Sequence, residues 1–461
     1  MNDHFYQGKR FLRYFLSGIL VFFSLFAKSA NPSLGSNQEG LRLSTFDIGV
    51  TPSIGSFLAY GSVENDWDLG LRARGIVLLG AGQPIVLCSV DWIGIGNEGH
   101  DAFCNELARA AGTTPDRVAV HTGHPHDTPW CDFGAEKILM GAGFPPTKYD
   151  GTFNREVIAR LVVAVRKSLE NSKPFDRIGF GEAKVYKVAS NRRIAGKDGN
   201  AMATRLSSCT DPSLRAEPEG LIDPMVSLVS FWNGDQSVAV LSYYAVHPQS
   251  YYRTNITNPD YPAIARFSRQ LKVPQALHIH FNGAGGNVAA GKYNDGSMEN
   301  RGILAKRLED GMERAWKATK KVPVKAGEIK WNVEPVSFTP AKHLYLLENE
   351  SPDSLLVKCN AARLAWLHRC QAGKKVDISC LSLGKVRIIH LPGEPFVEYQ
   401  LAAKAERKDL HVAVAGYGDY GPGYIGTTEA YSQGGYETSH VSNVSPDTEK
   451  VLMAAIRKLL H

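Results

Sequence analysis

Three histidines lie within six positions in the stretch 118–129, which reads Val-Ala-Val-His-Thr-Gly-His-Pro-His-Asp-Thr-Pro. His121, His124 and His126 follow an apolar run that predicts a β-strand, and their spacing is typical of a loop rather than of one helix face. Histidine is the commonest metal ligand and the usual acid or base near neutral pH. The cluster therefore indicates a metal site or acid–base catalysis, and a locally packed turn is the structural alternative.

Polar or glycine-rich residues follow four other predicted strands as well. These segments are His247, Asn282–Asn287, Glu394 and Tyr417–Tyr424. In layered α/β proteins, ligand sites assemble from the loops at the carboxyl ends of strands. If the five strands share one sheet direction, a single site collects two histidine loops, a carboxylate and a tyrosine.

The elements that position these loops alternate between strand-like and helix-like segments. Residues 75–79 and 84–90 predict a strand pair, and residues 226–232 and 237–246 predict a hairpin whose Asn233-Gly234 turn is of type I′. Apolar residues at helical spacing predict an amphipathic helix over 154–170. The pattern predicts a layered α/β fold with central mixed β-sheets flanked by helices.

Composition narrows the class of protein. The 461 residues are 43% hydrophobic and 21% charged, which is typical of a globular protein. The net charge of +6 is mild, and no basic run is interleaved with aromatic residues, so nucleic acid is not an expected partner. Seven scattered cysteines without a CxxC motif predict neither a zinc ribbon nor a disulfide-dense scaffold, and their pairing and the oligomeric state stay open.

The N-terminus predicts export. Lys9, Arg10 and Arg13 precede an apolar run over 15–27, and small residues follow it. This run is short for a membrane span, which needs about 20 apolar residues. We therefore expect a signal peptide over residues 1–30, a single domain over 31–461 and a secreted or periplasmic protein, with a retained membrane anchor as the alternative.

Three other site types are weighed against metal chemistry. Gly94-Ile-Gly-Asn-Glu-Gly99 fits a dinucleotide-binding pattern, but Asp116 precedes the next strand instead of ending it. Cys131 could be a thiol nucleophile, although a lone cysteine is more often a buried apolar residue. No G-x-S-x-G serine motif is present. Catalytic zinc fits better, because it takes nitrogen and oxygen ligands from separate loops and leaves a position for water.

The order of ten short motifs resembles the catalytic domain of the neutral/alkaline, non-lysosomal ceramidase family. The motifs are Asp47-Ile-Gly-Val-Thr-Pro, Ser89-Val-Asp91, His124-Pro-His126-Asp-Thr-Pro, Asn191-Arg192, Ala245-Val-His247-Pro, Asp260-Tyr-Pro262, Asn282-Gly-Ala-Gly-Gly-Asn-Val, Leu391-Pro-Gly-Glu-Pro-Phe396, Tyr424-Ile-Gly-Thr-Thr-Glu-Ala-Tyr431 and Tyr436-Glu437. The resemblance spans residues 43 to 440.

This resemblance implies a residue-by-residue assignment. The implied zinc ligands are His124, His247, Glu394 and Tyr424. The implied substrate and oxyanion residues are His126, Arg192 and Tyr436. A donor-rich shell around a scissile carbonyl is what a tetrahedral intermediate requires. His121 has no counterpart among the family's ligands and is expected to support the site.

The sequence also departs from the family. Ceramidases carry Gly-Asp-Val-Ser-Pro with a proposed serine nucleophile, whereas this chain reads Gly286-Asn-Val-Ala289-Ala. The family's C-terminal immunoglobulin-like domain is also expected to be absent. The leading hypothesis is a zinc-dependent hydrolase of an amide-type bond in a small or lipid-like substrate, with zinc-activated water as nucleophile and peripheral membrane contact left open. The alternative is a catalytically silent relative that binds a lipid or a glycan.

Overall fold

Two five-stranded sheets and one four-stranded sheet form the centre of this computed structural model, which describes residues 40–65 and 68–461. The strands are β1 (Arg42–Gly49), β2 (Arg72–Leu79), β3 (Ile85–Val90), β4 (Gly94–Ile95), β5 (Val118–Thr122), β6 (Trp130–Cys131), β7 (Lys173–Pro174), β8 (Arg177–Lys184), β9 (Ser190–Asn191), β10 (Arg193–Ala195), β11 (Ala201–Thr204), β12 (Met225–Asn233), β13 (Gln236–Tyr244), β14 (Leu277–Asn282), β15 (Val288–Ala289), β16 (Lys320–Pro323), β17 (Ile329–Val336), β18 (Val376–Leu383), β19 (Val386–His390), β20 (Glu394–Pro395), β21 (His411–Ala415) and β22 (Tyr424–Ile425). The α-helices are α1 (Asn97–Ala111), α2 (Phe133–Gly141), α3 (Thr152–Glu170), α4 (Pro212–Ala216), α5 (Asp260–Lys272), α6 (Glu299–Lys317), α7 (Leu344–Leu347), α8 (Leu355–Gln371), α9 (Val397–Glu406), α10 (Thr428–Gln433) and α11 (Thr448–Leu460), with short 3-10 turns at Pro115–Arg117, Thr147–Tyr149 and Ala326–Glu328.

All three large sheets are mixed. Their strand orders are β5-β3-β2-β1-β7, β14-β13-β12-β8-β16 and β17-β18-β19-β21. Each sheet contains one parallel pair, respectively β3 with β5, β13 with β14, and β19 with β21, and its other neighbours are antiparallel. The layered α/β fold with mixed sheets that the sequence predicts is confirmed.

One apolar core joins the three sheets. Ile76, Ile279 and Ile388 come from different sheets, are completely buried and belong to the same cluster. Burying one such side chain stabilises the fold by about 1.5–3 kcal/mol. The outer faces of the sheets are covered by helices α1 and α3, α5 and α6, and α9 and α11, respectively. The three sheets are therefore packed against one another, and their strand ends can meet at one place.

Most predicted elements are confirmed, but one turn is wrong. The pair β2–β3, helix α3 and the hairpin β12–β13 form where the sequence predicts them. The hairpin turn is Gly234-Asp235 rather than Asn233-Gly234, because Asn233 pairs with Gln236. Gly234 alone has a positive φ, 57°, as in a type II′ turn with glycine first. A bulge at Phe231/Trp232 shifts the register that the sequence pattern implied.

The structure also bears on the predicted arrangement of the strands, the signal peptide and a membrane span. The strands that precede the polar loops belong to three different sheets. The predicted signal peptide, residues 1–30, lies outside the described residues, and its cleavage and the domain boundary near residue 31 stay predictions. Within residues 40–65 and 68–461, no helix combines the length and apolar character of a membrane span.

Candidate metal centre

Three imidazoles meet where the parallel strand pairs end. Loops after β5 carry His124 and His126, and the loop after β13 carries His247. Each of the three rings offers one nitrogen, and these nitrogens lie within 4.8 Å of one another. All three side chains are buried. A grouping of this density within a buried pocket is the geometry that a transition-metal ion needs.

Backbone carbonyls fix the orientation of two of these rings. The Nδ1–H of His124 donates to the Ile93 carbonyl oxygen at 2.5 Å, and Nδ1 of His247 lies 3.5 Å from the Gly285 carbonyl oxygen. The Nε2 atom of His124 then carries a lone pair and lies 3.2 Å from Nε2 of His247, whose Nδ1 also lies 3.4 Å from the Tyr417 hydroxyl. When His247 also carries its proton on Nδ1, the two facing Nε2 lone pairs repel each other unless a cation lies between them. A hydrogen bond behind each ring is also how metal-binding histidines are usually held.

His124 has an unusual backbone conformation. Its φ is 61°, in the left-handed region that non-glycine residues seldom adopt. Its N–H donates to the Trp92 carbonyl oxygen, and its ring stacks on Tyr417 with ring centroids 4.6 Å apart. Strained conformations of this kind persist where the surroundings fix them, and they concentrate at functional sites.

Glu394 supplies a carboxylate to the same point. Its Oε2 lies 3.5 Å from Nε2 of His124 and 3.7 Å from Nε2 of His247, and it has no hydrogen-bond partner among the described residues. Its Oε1 accepts a hydrogen bond from the Tyr420 hydroxyl. Burial is the main reason why the pKa of Glu394 is raised to about 7. One carboxylate oxygen is thus held by the protein, and the other is free to bind a cation.

The histidines are neutral over the physiological range. Burial lowers the pKa of His124 to about 3, and the interaction with the Ile93 carbonyl only partly offsets this effect. Burial also lowers the pKa values of His126 and His247 well below the usual value, and repulsion from the neighbouring His124 adds to it. Neutral imidazoles have the free lone pairs that a metal ion requires.

Arg192 and Tyr424 form the next layer of the site. Nη1 of Arg192 donates to the Tyr424 hydroxyl at 3.1 Å, and its Nε lies 3.3 Å from the carboxylate of Glu437. Burial opposes the guanidinium charge, but Tyr424 and Glu437 outweigh it and raise the pKa of Arg192. The Tyr424 ring lies 6.3 Å from the His247 ring and nearly parallel to it. The structure therefore brings Tyr424 beside the imidazole group, and its role as a ligand stays a prediction.

His126 and Tyr436 face the cleft that leads to the group. The cleft has a volume of about 560 Å³ and is lined by all seven predicted site residues, His124, His126, Arg192, His247, Glu394, Tyr424 and Tyr436. The His126 ring is stacked against Tyr60 at 5.9 Å, and its Nδ1 has no partner among the described residues. Its position permits metal binding as well as the predicted contact with substrate. Tyr436 is 41% exposed at the rim.

The side chains satisfy the requirements of a divalent metal. Neutral histidine nitrogens and a carboxylate oxygen are the ligands that zinc prefers. A buried ionised carboxylate oxygen without a hydrogen-bond partner is unfavourable unless a cation neutralises it. His124, His247 and Glu394 therefore fit the predicted metal, and the identity of that metal is a proposal.

The altered segment 286–289 lies behind the site rather than in it. Oδ1 of Asn287 accepts the Val397 N–H at 2.9 Å, and its Nδ2 donates to the carboxylate of Glu398. Asn287 therefore holds the first turn of α9. Ala289 is completely buried in β15, where the family resemblance would place the serine. Neither residue contributes to the lining of the cleft.

The alternatives to metal chemistry also find structural roles. Burial raises the pKa of Cys131 well above its usual value, which disfavours a reactive thiolate. Gly94 and Gly99 of the glycine motif pack closely against Trp130 and Cys131. The N–H of Asn97, at the start of α1, donates to the carboxylate of Asp419 at 2.9 Å. The helix terminus that would hold a dinucleotide phosphate is thus already occupied.

Sequence reasoning missed several residues that shape the site. Tyr420 fixes Glu394, and the carbonyl of Ile93 fixes His124. Tyr60 and Tyr252 pack against His126. Tyr420 lies in the strand-end segment that the sequence did indicate, whereas Tyr60 and Tyr252 lie in turns without a recognisable signal.

Comparison with solved structures identifies the fold. A structure described as a ceramidase complexed with C2 superposes with a TM-score of 0.65 at 18% sequence identity, covering 92% of this chain and 75% of the other. The neutral ceramidase from Pseudomonas aeruginosa gives a TM-score of 0.62 at 19% identity, covering 92% of this chain and 74% of the other. No protein-family model and no curated protein sequence matches the chain. The chain has the ceramidase fold, which confirms the fold that the motif order implied.

Proposed function

We propose that this protein, which has the ceramidase fold, is an exported zinc-dependent hydrolase of an amide bond in a lipid-like or other N-acyl substrate. The observation that carries the proposal is the convergence of His124, His247 and Glu394, in which two Nε2 atoms lie 3.2 Å apart beside an unpartnered carboxylate oxygen. The likeness to two ceramidases supports hydrolysis of an amide. The apolar N-terminal segment supports export.

We assign the metal-binding role to the residues that converge at the end of the cleft. His124, His247 and Glu394 would hold the zinc, with Tyr424 beside them as the fourth candidate ligand. When bound, zinc supplies a Lewis acid and lowers the pKa of a coordinated water. Tyr420 keeps Glu394 in place through its hydrogen bond. Ala289 replaces the serine of the family pattern, so the proposal assigns the attacking oxygen to water.

Arg192 and Tyr436 would stabilise charge that develops on the scissile carbonyl. The guanidinium of Arg192 is 3% exposed and lies 5.4 Å from the Tyr436 ring. Because Glu437 and Tyr424 fix it in place, little reorganisation is needed when an oxyanion forms. His126 also lines the cleft, and its Nδ1 has no hydrogen-bond partner among the described residues. This nitrogen would therefore be available for a hydrogen bond with the substrate.

The test combines metal analysis with turnover. The purified chain is expected to contain about one zinc per molecule, and chelation is expected to abolish hydrolysis of N-acyl substrates. Glu394→Gln keeps the size of the side chain but removes the charge, so both zinc retention and turnover should fall. Tyr399→Phe serves as a control, since that buried hydroxyl bonds to the Gly426 carbonyl away from the metal group. Chelator-resistant hydrolysis would overturn the zinc dependence.

A second function is favoured by the missing serine. With Ala289 in its place, the chain could keep the fold and the metal but bind a lipid or glycan without cleaving it. Bound zinc together with no turnover across amide and ester substrates would support this alternative. Zinc-dependent turnover that is lost in Glu394→Gln would exclude it.

A further inference from the structure

Two cations line one wall of the cleft without a partner carboxylate. Lys148 lies on the 3-10 turn Thr147–Tyr149, and Arg363 lies on α8. Within the described ranges, neither side chain has a carboxylate oxygen within 4.0 Å. Nη1 of Arg363 donates to Oδ1 of Asn360 at 2.6 Å, and Nζ of Lys148 lies 5.2 Å from the Tyr149 ring. Both cations are therefore held in place but not neutralised.

This arrangement is electrostatically unfavourable in the absence of a ligand. Both side chains are half-buried. Burial lowers the pKa of Lys148, and repulsion from the Arg363 guanidinium lowers it further. Burial also lowers the pKa of Arg363. Desolvation and like charge both oppose the charged forms, and an anion between the two side chains would relieve both effects.

Two other buried cations of the described residues have several polar partners. Arg266 forms a two-point ion pair with Asp91, with both N···O distances 2.8 Å. Arg205 donates to several backbone carbonyl oxygens. Lys148 and Arg363 have neither kind of partner, although they line the cleft of about 560 Å³. Elsewhere the fold provides polar partners for buried cations, whereas on this wall of the cleft the two cations remain accessible to a ligand.

The acidic residues of the cleft do not offset them. Asp132 accepts hydrogen bonds from the side chain of Asn97 at 2.7 Å and from the N–H of Ala135 at 3.0 Å, so its oxygens are engaged at the start of α2. Glu394 faces the imidazole group. The wall that carries Lys148 and Arg363 is thus positively charged.

An aromatic surface separates these cations from the metal centre. The Tyr420 ring lies 5.6 Å from the His124 ring, Trp130 lies 4.7 Å from Tyr420, and Tyr149 lies 6.2 Å from Trp130. Lys148 adjoins Tyr149 at the far end of this row. A ligand that reaches from the metal centre to the cations passes an apolar surface and ends in a charge.

We propose that the substrate carries an anionic group, a carboxylate, sulfate or phosphate, several atoms away from the scissile amide, and that Lys148 and Arg363 bind it. This inference rests on the proposed amide hydrolysis. An apolar stretch of the substrate lies along Tyr420 and Trp130, and the anion replaces the water around the two cations. The two residues would then determine specificity and take no part in the bond cleavage.

The experiment compares substrates that differ only in their distal group. Anilides of dicarboxylic acids of increasing chain length are compared with their methyl esters, and N-acyl amino acids with their carboxamides, so that the charge is placed on either side of the amide. For the best length we expect kcat/KM about ten-fold or more higher for the charged member, as hydrogen bonds to a charged group imply. The preference should disappear in Lys148→Gln/Arg363→Gln. Lys358→Gln is the matched control, because Lys358 lies on the same helix outside the cleft lining.

Charge reversal gives a readout that loss of structure cannot mimic. Lys148→Gln/Arg363→Glu should reverse the preference, favouring a substrate with a distal trimethylammonium group over the carboxylate. Equal kcat/KM for charged and neutral members, with both cleaved, would overturn the anion proposal and leave the hydrolase proposal intact. An equal loss of preference in Lys358→Gln would also overturn it, because general surface charge would then be the cause.

Binding separates the two proposals if no amide is cleaved. Calorimetry with zinc-loaded protein compares the monoamide of octanedioic acid with the diamide, since both offer an amide to the metal and only the first has a distal carboxylate. Tighter binding of the monoamide, by about ten-fold and dependent on Lys148 and Arg363, would support the anion site although hydrolysis had failed. Equal affinity of the two would overturn it.

Discussion

The segment 121–126 contributes histidines to two different groups of buried histidines. His124, His126 and His247 face one another and the carboxylate of Glu394. His121 and His390 instead form a pair, in which Nδ1 of His390 lies 3.0 Å from Nε2 of His121, and Nδ1 of His121 lies 2.6 Å from the Gly416 carbonyl oxygen. Their rings also contact Phe281 and Trp331, respectively.

The difference between the groups lies in the use of the ring nitrogens. In the His121–His390 pair, one donor faces one acceptor at each contact, so the pair stabilises itself. In the first group, the Nε2 atoms of His124 and His247 face each other at 3.2 Å beside the free carboxylate oxygen of Glu394, so one cation could bind all three groups. Burial is therefore common to both groups, and the direction of the lone pairs distinguishes a candidate metal site from a structural contact.

Replacement of a candidate ligand should give the largest change in zinc affinity, and it tests the difference between the two histidine groups directly. His124→Asn shortens the side chain and tolerates the positive φ at this position. We expect zinc affinity to fall by more than about 100-fold, beyond the usual cost of losing an outer hydrogen bond to a ligand. His121→Asn, the matched change in the other group, should retain zinc. Competition with a chromogenic chelator measures both affinities, and equal losses would contradict the division between the groups.

Removal of the hydroxyl behind Glu394 should have a smaller effect. Tyr420→Phe abolishes the hydrogen bond to Oε1 of Glu394 and leaves the ring in place. Zinc affinity is expected to fall about 10- to 100-fold while the fold is retained. The same chelator competition, with circular dichroism as the check on folding, measures the result. Unchanged affinity would show that Glu394 does not depend on this tyrosine.

Lowering the pH should reduce the folding stability of the protein through the His121–His390 pair. Burial lowers the pKa of His121 to about 4 and that of His390 well below its usual value. In the unfolded chain each has a pKa of about 6.5, so the unfolded state binds more protons as the pH falls below that value. Stability should then drop by up to about 1.4 kcal/mol per pH unit for each histidine. Urea unfolding of the chelated protein should show a shallower dependence in His121→Gln/His390→Gln, and an unchanged slope would refute this origin.

Proton release on metal binding is the smallest effect that we predict. The three histidines of the first group are neutral before zinc binds, whereas the pKa of Glu394 is about 7. At about pH 6, zinc should therefore displace about one proton from Glu394, and at about pH 8.5 it should displace almost none from this group. Calorimetry in buffers of different ionisation enthalpy measures the release. Glu394→Gln should abolish the difference between the two pH values.

Much of the candidate site could be predicted from the sequence. Apolar runs followed by histidine, glutamate or tyrosine indicated where strands end, and the structure brings all seven predicted residues to one cleft. The turn after β12 was misplaced by one residue, because Asn233-Gly234 and Gly234-Asp235 both fit a two-residue turn and only the pairing of Asn233 with Gln236 decides between them. Tyr60 and Tyr252 could not be predicted, since turn residues far from the histidine loop reach it only through the fold.

The sequence by itself determined which residue types are available for chemistry and that they follow strands. Only the tertiary structure decided that three sheets, rather than one, deliver them to the same point. It also decided which nitrogen of His124 and of His121 remains free, because the carbonyl oxygens of Ile93 and Gly416 accept the other proton. The stretch 118–129 contains three histidines, and residue type alone makes each of them equally suitable as a metal ligand. Partners far away in the chain orient His124 toward His247 and His121 toward His390, and this orientation separates a candidate metal ligand from a structural residue.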